Sequence, residues 1–246
     1  MTIAGLHQQI SDLTAAVAAR DAFISIAAHE LRNPMTPIRG QVELLRARVR
    51  QGRSAPEQIE AGLERIEWLI DQYMRRATTL LDVSRITAGK LRLIPEPIRL
   101  APLLANLVAG VAPLATRTGS AVHLSIPADL TGHWDRLAME QIVDNLLSNA
   151  IKYGGGRAID LTAETAGNAA VITVRDGGSG ISEADRGRIF ERFERAVGSG
   201  DHAGGFGMGL WIVRQLSEAM GGSVSVQSPE GGGTLFAVTL PLTPPA

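Results

Sequence analysis

His29 is followed directly by Glu30, and that adjacency can make a nucleophile. A carboxylate that accepts the Nδ1 proton of an imidazole leaves Nε2 free to attack an electrophile. Taken alone the dipeptide also fits an ordinary exposed pair. A zinc-protease reading fails, because the second histidine it requires is replaced by Asn33. Far along the chain Asn145, Asn149 and Lys152 are spaced by four and three residues, which puts two amides and an ammonium on one helical face. Such a face can hold a magnesium-triphosphate, since magnesium takes oxygen ligands, phosphate and water, although a solvated face would show the same spacing. Asp176-Gly177-Gly178-Ser179-Gly180 then follows a β-patterned run. It places an acid at a strand end, able to accept from the exocyclic amine of a flat base, beside glycines that allow close approach; a tight turn is the plainer reading. Gly204-Gly205-Phe206-Gly207-Met208-Gly209-Leu210 opens a helix whose free amides can receive phosphate oxygens. Neither a dinucleotide fingerprint, whose third glycine would fall on Glu183, nor a P-loop is present. Gly231-Gly232-Gly233-Thr234 reads as a hairpin turn.

The order of these groups is more specific than any one of them. Phe23 to Pro34, around His29, resembles the phosphoacceptor box of sensor histidine kinases; Asn145 to Tyr153 resembles their N box, Asp176-x-Gly178-x-Gly180 their G1 box, Phe190 to Phe193 their F box, and Gly205-x-Gly207-x-Gly209 with Leu210 their G2 box. The resemblance implies that His29 is phosphorylated, that Glu30 is the base, and that Asn33 positions water for dephosphorylating the partner. It further implies a Bergerat ATP-binding fold with ATP and Mg2+ as cofactors: Asn149 on magnesium, Lys152 near phosphate, Tyr153 against the base and Asp176 reading adenine. The implied partner is the receiver domain of a response regulator. Phe206 and Trp211 are bulkier than the family pattern around the G2 box, which bears on how the lid, including 198–202, packs.

The elements that must position these groups fall into two halves. Ile24, Ala28, Leu31, Met35, Ile38, Val42, Leu45 and Val49 recur in steps of four and three, a heptad seam that leaves His29 facing outward. Gly52, Ser54 and Pro56 break it, and Ile59, Leu63, Ile66, Ile70, Tyr73, Ala77 and Leu80 form a second seam ending near Gly89. The spacing predicts a helical hairpin that completes its core by pairing as a homodimeric four-helix bundle. Pro34 is expected to kink the first helix just after His29. Leu6, Ile10, Leu13 and Val17 continue the pattern with a phase slip before Ile24, so 1–20 is read as a signalling helix or coiled coil, or as a frayed end. The resemblance implies that residues 21–91 form the dimerisation and phosphotransfer domain, 92–99 the linker about which the nucleotide domain swings, and 100–246 the ATP-binding domain.

In that last part helices are predicted at 102–118, 135–153 and 209–220, with strands at 121–126, 157–164, 169–175, 223–228 and 234–240. The fold class is α+β, a helical hairpin followed by an α/β sandwich. The chain has 246 residues with 45% hydrophobic content, enough for a core, and its 24 Lys and Arg balance 25 Asp and Glu at a net charge of −1. That balance argues against a nucleic-acid or membrane-surface partner. The absence of cysteine fits a reducing compartment. No stretch reads as approaching about 18 uncharged apolar residues, so a cytoplasmic chain, or the cytoplasmic part of a membrane-bound sensor, is expected. Two other classes compete: a phosphotransfer hub or scaffold with a decayed nucleotide domain, and a gyrase-like ATPase, which would lack the His29 helix.

Overall fold

The computed structural model describes residues 5, 7, 10, 14, 17, 24, 27, 28, 31, 34–51, 55–192, 194, 207–229 and 232–243, with the backbone alone at 71, 72, 75 and 76. The chain forms two compact units, Met1–Ser84 and Arg85–Ala246.

In the first unit the seams become two helices, α1 (Met35–Arg50) and α2 (Pro56–Thr87). Pro34 sits at the N-cap of α1 with φ −74° and ψ −15°, as a turn, while the described positions before it, 24, 27, 28 and 31, are helical. A proline suits this place, since its missing N–H and fixed φ are tolerated at the start of a helix; the kink expected after His29 falls outside the described residues. The seams are only half covered. Ile38, Leu45, Ile59 and Ile66 are part-buried and Leu80 is buried, while Leu69 and Val83, which lie off the predicted second seam, are buried as well. Ile24, Met35, Val42 and Val49 on the first seam and Leu63 and Ile70 on the second remain exposed. A Cβ on Gly62 would come within 2.8 Å of Leu45 Cδ1, which marks the close approach of α1 and α2. The phase slip before Ile24 lies outside the described residues.

The second unit runs β1 (Glu96–Arg99), α3 (Leu100–Arg117), β2 (Val122–Ser125), β3 (Thr131–Trp134), α4 (Arg136–Tyr153), β4 (Ile159–Ala166), β5 (Ala169–Asp176), α5 (Glu183–Arg186), α6 (Gly209–Ala219), β6 (Ser223–Gln227) and β7 (Thr234–Pro241). Five strands form one sheet in the order β2-β4-β5-β7-β6; β2 runs parallel to β4 and the other pairings are antiparallel. Strand alternation gives the sheet one apolar face. Ile159, Leu161 and Ala163 of β4, Ala170, Ile172 and Val174 of β5, and Phe236, Val238 and Leu240 of β7 are all buried. Helices α3, α4 and α6 supply the second layer, with α4 in contact with α3, α6 and β5. Eight residues of α4 are buried, from Ala138 to Ile151, at helical spacing.

Two sequence expectations change here. Residues 96–99, assigned to the linker, are strand β1, paired antiparallel with β3 from Glu96↔Trp134 to Arg99↔Thr131. Prolines 95 and 97 hid it: Pro97 lacks a ladder donor, which a short two-stranded pair tolerates. Helix α3 is also long and apolar enough, by length and composition, to cross a membrane, contrary to the reading of the sequence. It packs on α4, β1 and β2, buries Leu100, Leu103, Leu104 and Ala115, and carries Pro113. Trp134 closes this side of the unit: its ring is 1% exposed and Nε1 donates to the Pro241 carbonyl at 2.8 Å. Trp134→Ala should therefore destabilise the second unit by about 3–5 kcal/mol in chemical denaturation. Trp134→Phe, which keeps most of the apolar bulk and gives up the hydrogen bond, should cost about 1–2 kcal/mol.

Candidate nucleotide site

Asp176 ends the inward-facing row of β5, in register with Thr234 at the start of β7. Alternation that buries Ala170, Ile172 and Val174 carries the carboxylate to the same side, so it is only 5% exposed. Its Oδ1 accepts from Gly178 N at 2.8 Å, and it takes further hydrogen bonds from the N–H and hydroxyl of Thr234. Burial, the larger effect, lifts the carboxyl above the usual carboxylate range, against these hydrogen bonds, which act to lower it.

The glycines after Asp176 are set by contact. A Cβ on Gly178 would stand 2.2 Å from the Tyr153 carbonyl oxygen, so only glycine lets this loop lie against the end of α4. Gly233 N donates to Gly178 O at 2.8 Å, and Arg157 donates from its guanidinium to the Gly177 carbonyl. Ser228 Oγ both accepts from Ile181 N at 2.9 Å and donates to Ile181 O at 3.0 Å. The β6–β7 loop is thus stitched to the loop after Asp176, a larger role than the hairpin turn expected for 231–234.

Helix α4 carries the amides. Asp135 caps it, Oδ1 accepting from Ala138 N at 2.9 Å. Asn145 Nδ2 donates to the Gln141 carbonyl at 2.8 Å, which commits the nitrogen and leaves Oδ1 as acceptor. That oxygen meets the start of α6: a Cβ on Gly209 would lie 2.7 Å from it. Asn149 is part-buried, and among the described residues no group engages its amide. Lys152 Nζ lies 4.7 Å from the Tyr153 ring centroid, a cation–π arrangement, with Tyr153 itself exposed. Met208, fully buried, occupies the N-cap of α6 without a side-chain cap, and among the described residues no side chain caps the first turn, which includes Leu210. Arg192 stacks 4.6 Å over the Trp211 ring, and Arg214 pairs with Glu191 at 3.3 Å and Glu218 at 2.9 Å, holding the start of the F-box loop on α6.

The structure therefore brings Asn145 to Gly209, Tyr153 to Gly178, and Gly178 to Asp176; Gly180 lies beside Gly233 and Ser228. Gly207 is described with φ +62°, whereas Gly205, Phe193, Phe206 and 198–202 lie outside the described residues, as do His29, Glu30 and Asn33. The donor set suits a magnesium nucleotide: amide oxygens, an ammonium, first-turn helix amides and one buried carboxylate. No group of three His, Cys, Asp or Glu side chains that would hold a metal by itself occurs among the described residues. A separate cavity of about 360 Å³, lined by His123, Asp160, Thr162, Thr173 and Arg175, lies on the opposite face of the sheet, away from these groups. Thr234 and Gly233 were missed as site residues. Their signal was present, since Thr234 is in phase with Phe236, Val238 and Leu240 and so must face inward beside Asp176.

Comparison with known proteins follows the same division. The His Kinase A (phospho-acceptor) domain matches residues 19–89, and the family of histidine kinase-, DNA gyrase B- and HSP90-like ATPases matches residues 134–244. The chain is 35% identical over 242 residues to the sensor histidine kinase AtsR of Burkholderia thailandensis, covering 93% of this chain and 38% of that protein. It is 34% identical over 248 residues to the virulence sensor protein BvgS of Bordetella bronchiseptica, covering 97% of this chain and 20% of that one. It thus spans well under half the length of either relative. Among solved structures, the Acinetobacter baumannii histidine kinase AdeS shares the fold with a TM-score of 0.64 at 20% identity, over 87% of this chain and 98% of that one. Full-length ShkA, solved in complex with AMPPNP, gives a TM-score of 0.61 at 27% identity, over 89% of this chain and 46% of that one.

Gly209→Ala should force Asn145 and α6 apart and lower stability by about 1–3 kcal/mol. In a double-mutant cycle with Asn145→Ala, the combined loss should be smaller than the sum of the two, because the shorter side chain removes the collision.

Proposed function

Because this chain belongs to the sensor histidine kinase family, we propose that it binds ATP with Mg2+, phosphorylates itself on His29 and passes the phosphoryl group to an aspartate in the receiver domain of a response regulator. The observation that carries the nucleotide half is the convergence of Asp176, the Tyr153 end of α4 and, through Asn145, the start of α6 at one corner of the sandwich. The phospho-acceptor match over 19–89, which contains His29, supports the other half.

In this reading Asp176 accepts a hydrogen bond from the exocyclic amine of adenine and Tyr153 flanks the base. Asn149, with Asn145 beside it, offers amide oxygen to magnesium, and Lys152 and the first-turn amides of α6 face the phosphates. Magnesium, when bound, neutralises charge on the phosphate oxygens. Glu30 takes the Nδ1 proton of His29 while Nε2 forms the new N–P bond; the bond from the γ-phosphorus to the bridging oxygen breaks and ADP leaves. The aspartate carboxylate of the partner then displaces the imidazole at phosphorus, and Asn33 supports hydrolysis of the resulting acyl phosphate. The exposed apolar residues Met35, Val42, Val49, Leu63 and Ile70 are the surface a second hairpin would cover, which supports a homodimer.

Incubation with magnesium and γ-labelled ATP should give acid-labile label on the parent chain and none on His29→Ala, with ATP affinity equal in both. ATP binding without label in the parent would instead favour a scaffold, and no binding would remove the pocket assignment. The raised carboxyl of Asp176 sets a pH dependence. Its ionised form costs the empty domain stability above the raised value and costs nothing below the ordinary carboxylate range. The adenine amine donates to the ionised form, so binding lowers that pKa and releases protons. ATP affinity measured by titration calorimetry should therefore fall as pH drops through the raised value. In Asp176→Asn affinity should be lower by about 10-fold or more and lose that dependence.

A further inference from the structure

The segment between α2 and β1 is held by one carboxylate. Ile94 N–H donates to Asp135 Oδ2 at 2.8 Å, while Oδ1 of the same side chain caps α4. Next to it Arg136 Nε donates to Glu96 Oε1 at 2.7 Å, tying the first residue of α4 to the first residue of β1. The Ile94 side chain is 75% exposed, so the hold on this residue is polar and lies in its N–H. Downstream, β1 is fixed by its ladder with β3 and by Trp134. Upstream, α2 is closed by Gly89 N on Ile86 O at 3.0 Å and Lys90 N on Arg85 O at 2.9 Å. The stretch left to pivot is thus 91–93, between the last hydrogen bond that closes α2 and the Ile94 N–H held by Asp135, at the start of the 92–99 linker read from sequence.

Helix α4 therefore serves two ends. Its cap receives the incoming chain, and its later turns present Asn145, Asn149 and Lys152, about 14 to 24 Å further along a single rigid helix. We propose that Asp135 is a positioning residue for phosphoryl transfer: by holding the Ile94 N–H it sets the free length of the joint and with it how the nucleotide face is delivered to His29. This rests on the kinase reading above. Release of Ile94 frees residues 94 and 95, adding about 7 Å of reach. Misplacement far smaller than that slows a reaction between positioned groups.

The cap and the clamp can be separated. Asp135→Asn retains an oxygen for Ala138 N but turns an amide N–H2 toward Ile94 N–H, and Asp135→Ser caps but is too short to reach Ile94. In the full chain, amide hydrogen exchange at Ile94 should quicken about tenfold or more in both variants with Ala138 unchanged, as expected for one local opening. The maximal autophosphorylation rate should fall about three- to tenfold with KM for ATP within about twofold. An unchanged rate with Ile94 released, or a rate loss matched by a rise in KM and a fall in Tm, overturns the positioning role. Unchanged exchange at Ile94 overturns the clamp itself. Absence of label on the parent chain overturns the kinase reading and the role assigned to Asp135 within it, and the exchange arm then still reports whether the clamp exists.

Discussion

A carboxylate at the end of an apolar row is the constraint around which the second unit is arranged. Asp176 continues the buried stripe of β5 and cannot turn to solvent without shifting the register that buries Ile172 and Val174 against β7. A charge so placed is tolerated only with donors around it, and Gly178 N and Thr234 provide them. One donor comes from the loop after β5 and the other from the first residue of β7, so that loop must close on the strand end. The short contacts at Gly178 and the Gly233–Gly178 hydrogen bond follow from that requirement.

The same corner explains why α4 is two-faced. Its buried side, from Met139 to Ile151, is fixed by the sheet and by α3 and α6, so the angle of its polar side is fixed as well. Asn145 meets Gly209 and the Tyr153 carbonyl meets Gly178 because one rigid helix lies between the two loops. The arrangement at this corner is therefore a property of packing between elements far apart in sequence, 145 with 209 and 176 with 234.

What the sequence made legible was periodic. Strands β4, β5 and β7 and helices α3, α4 and α6 lie within two residues of their expected bounds, because long runs of alternation or helical spacing average out local exceptions. The pair β1 and β3 was illegible: each has four residues, one contains Pro97 and the other Gly132, over which the Trp134 ring lies. No period can be read from four residues, and their pairing spans more than thirty positions. In the site, residues with distinctive chemistry were found on type and order. Gly233, Thr234 and Arg157 were not, since what they contribute depends on which loop folds back on which strand.

The half-covered seams of α1 and α2 have a consequence in mass action. A hairpin whose large apolar residues, Met35, Val49, Leu63 and Ile70 among them, stand roughly half in water has little core of its own. Whatever surface covers them contributes stability in proportion to the logarithm of its concentration. If that surface is a second copy of the hairpin, as proposed, the stability of the helical unit becomes a function of how much protein is present, while that of the second unit, with its core closed on itself, does not. One chain would thus carry a concentration-sensitive half joined to a concentration-insensitive half.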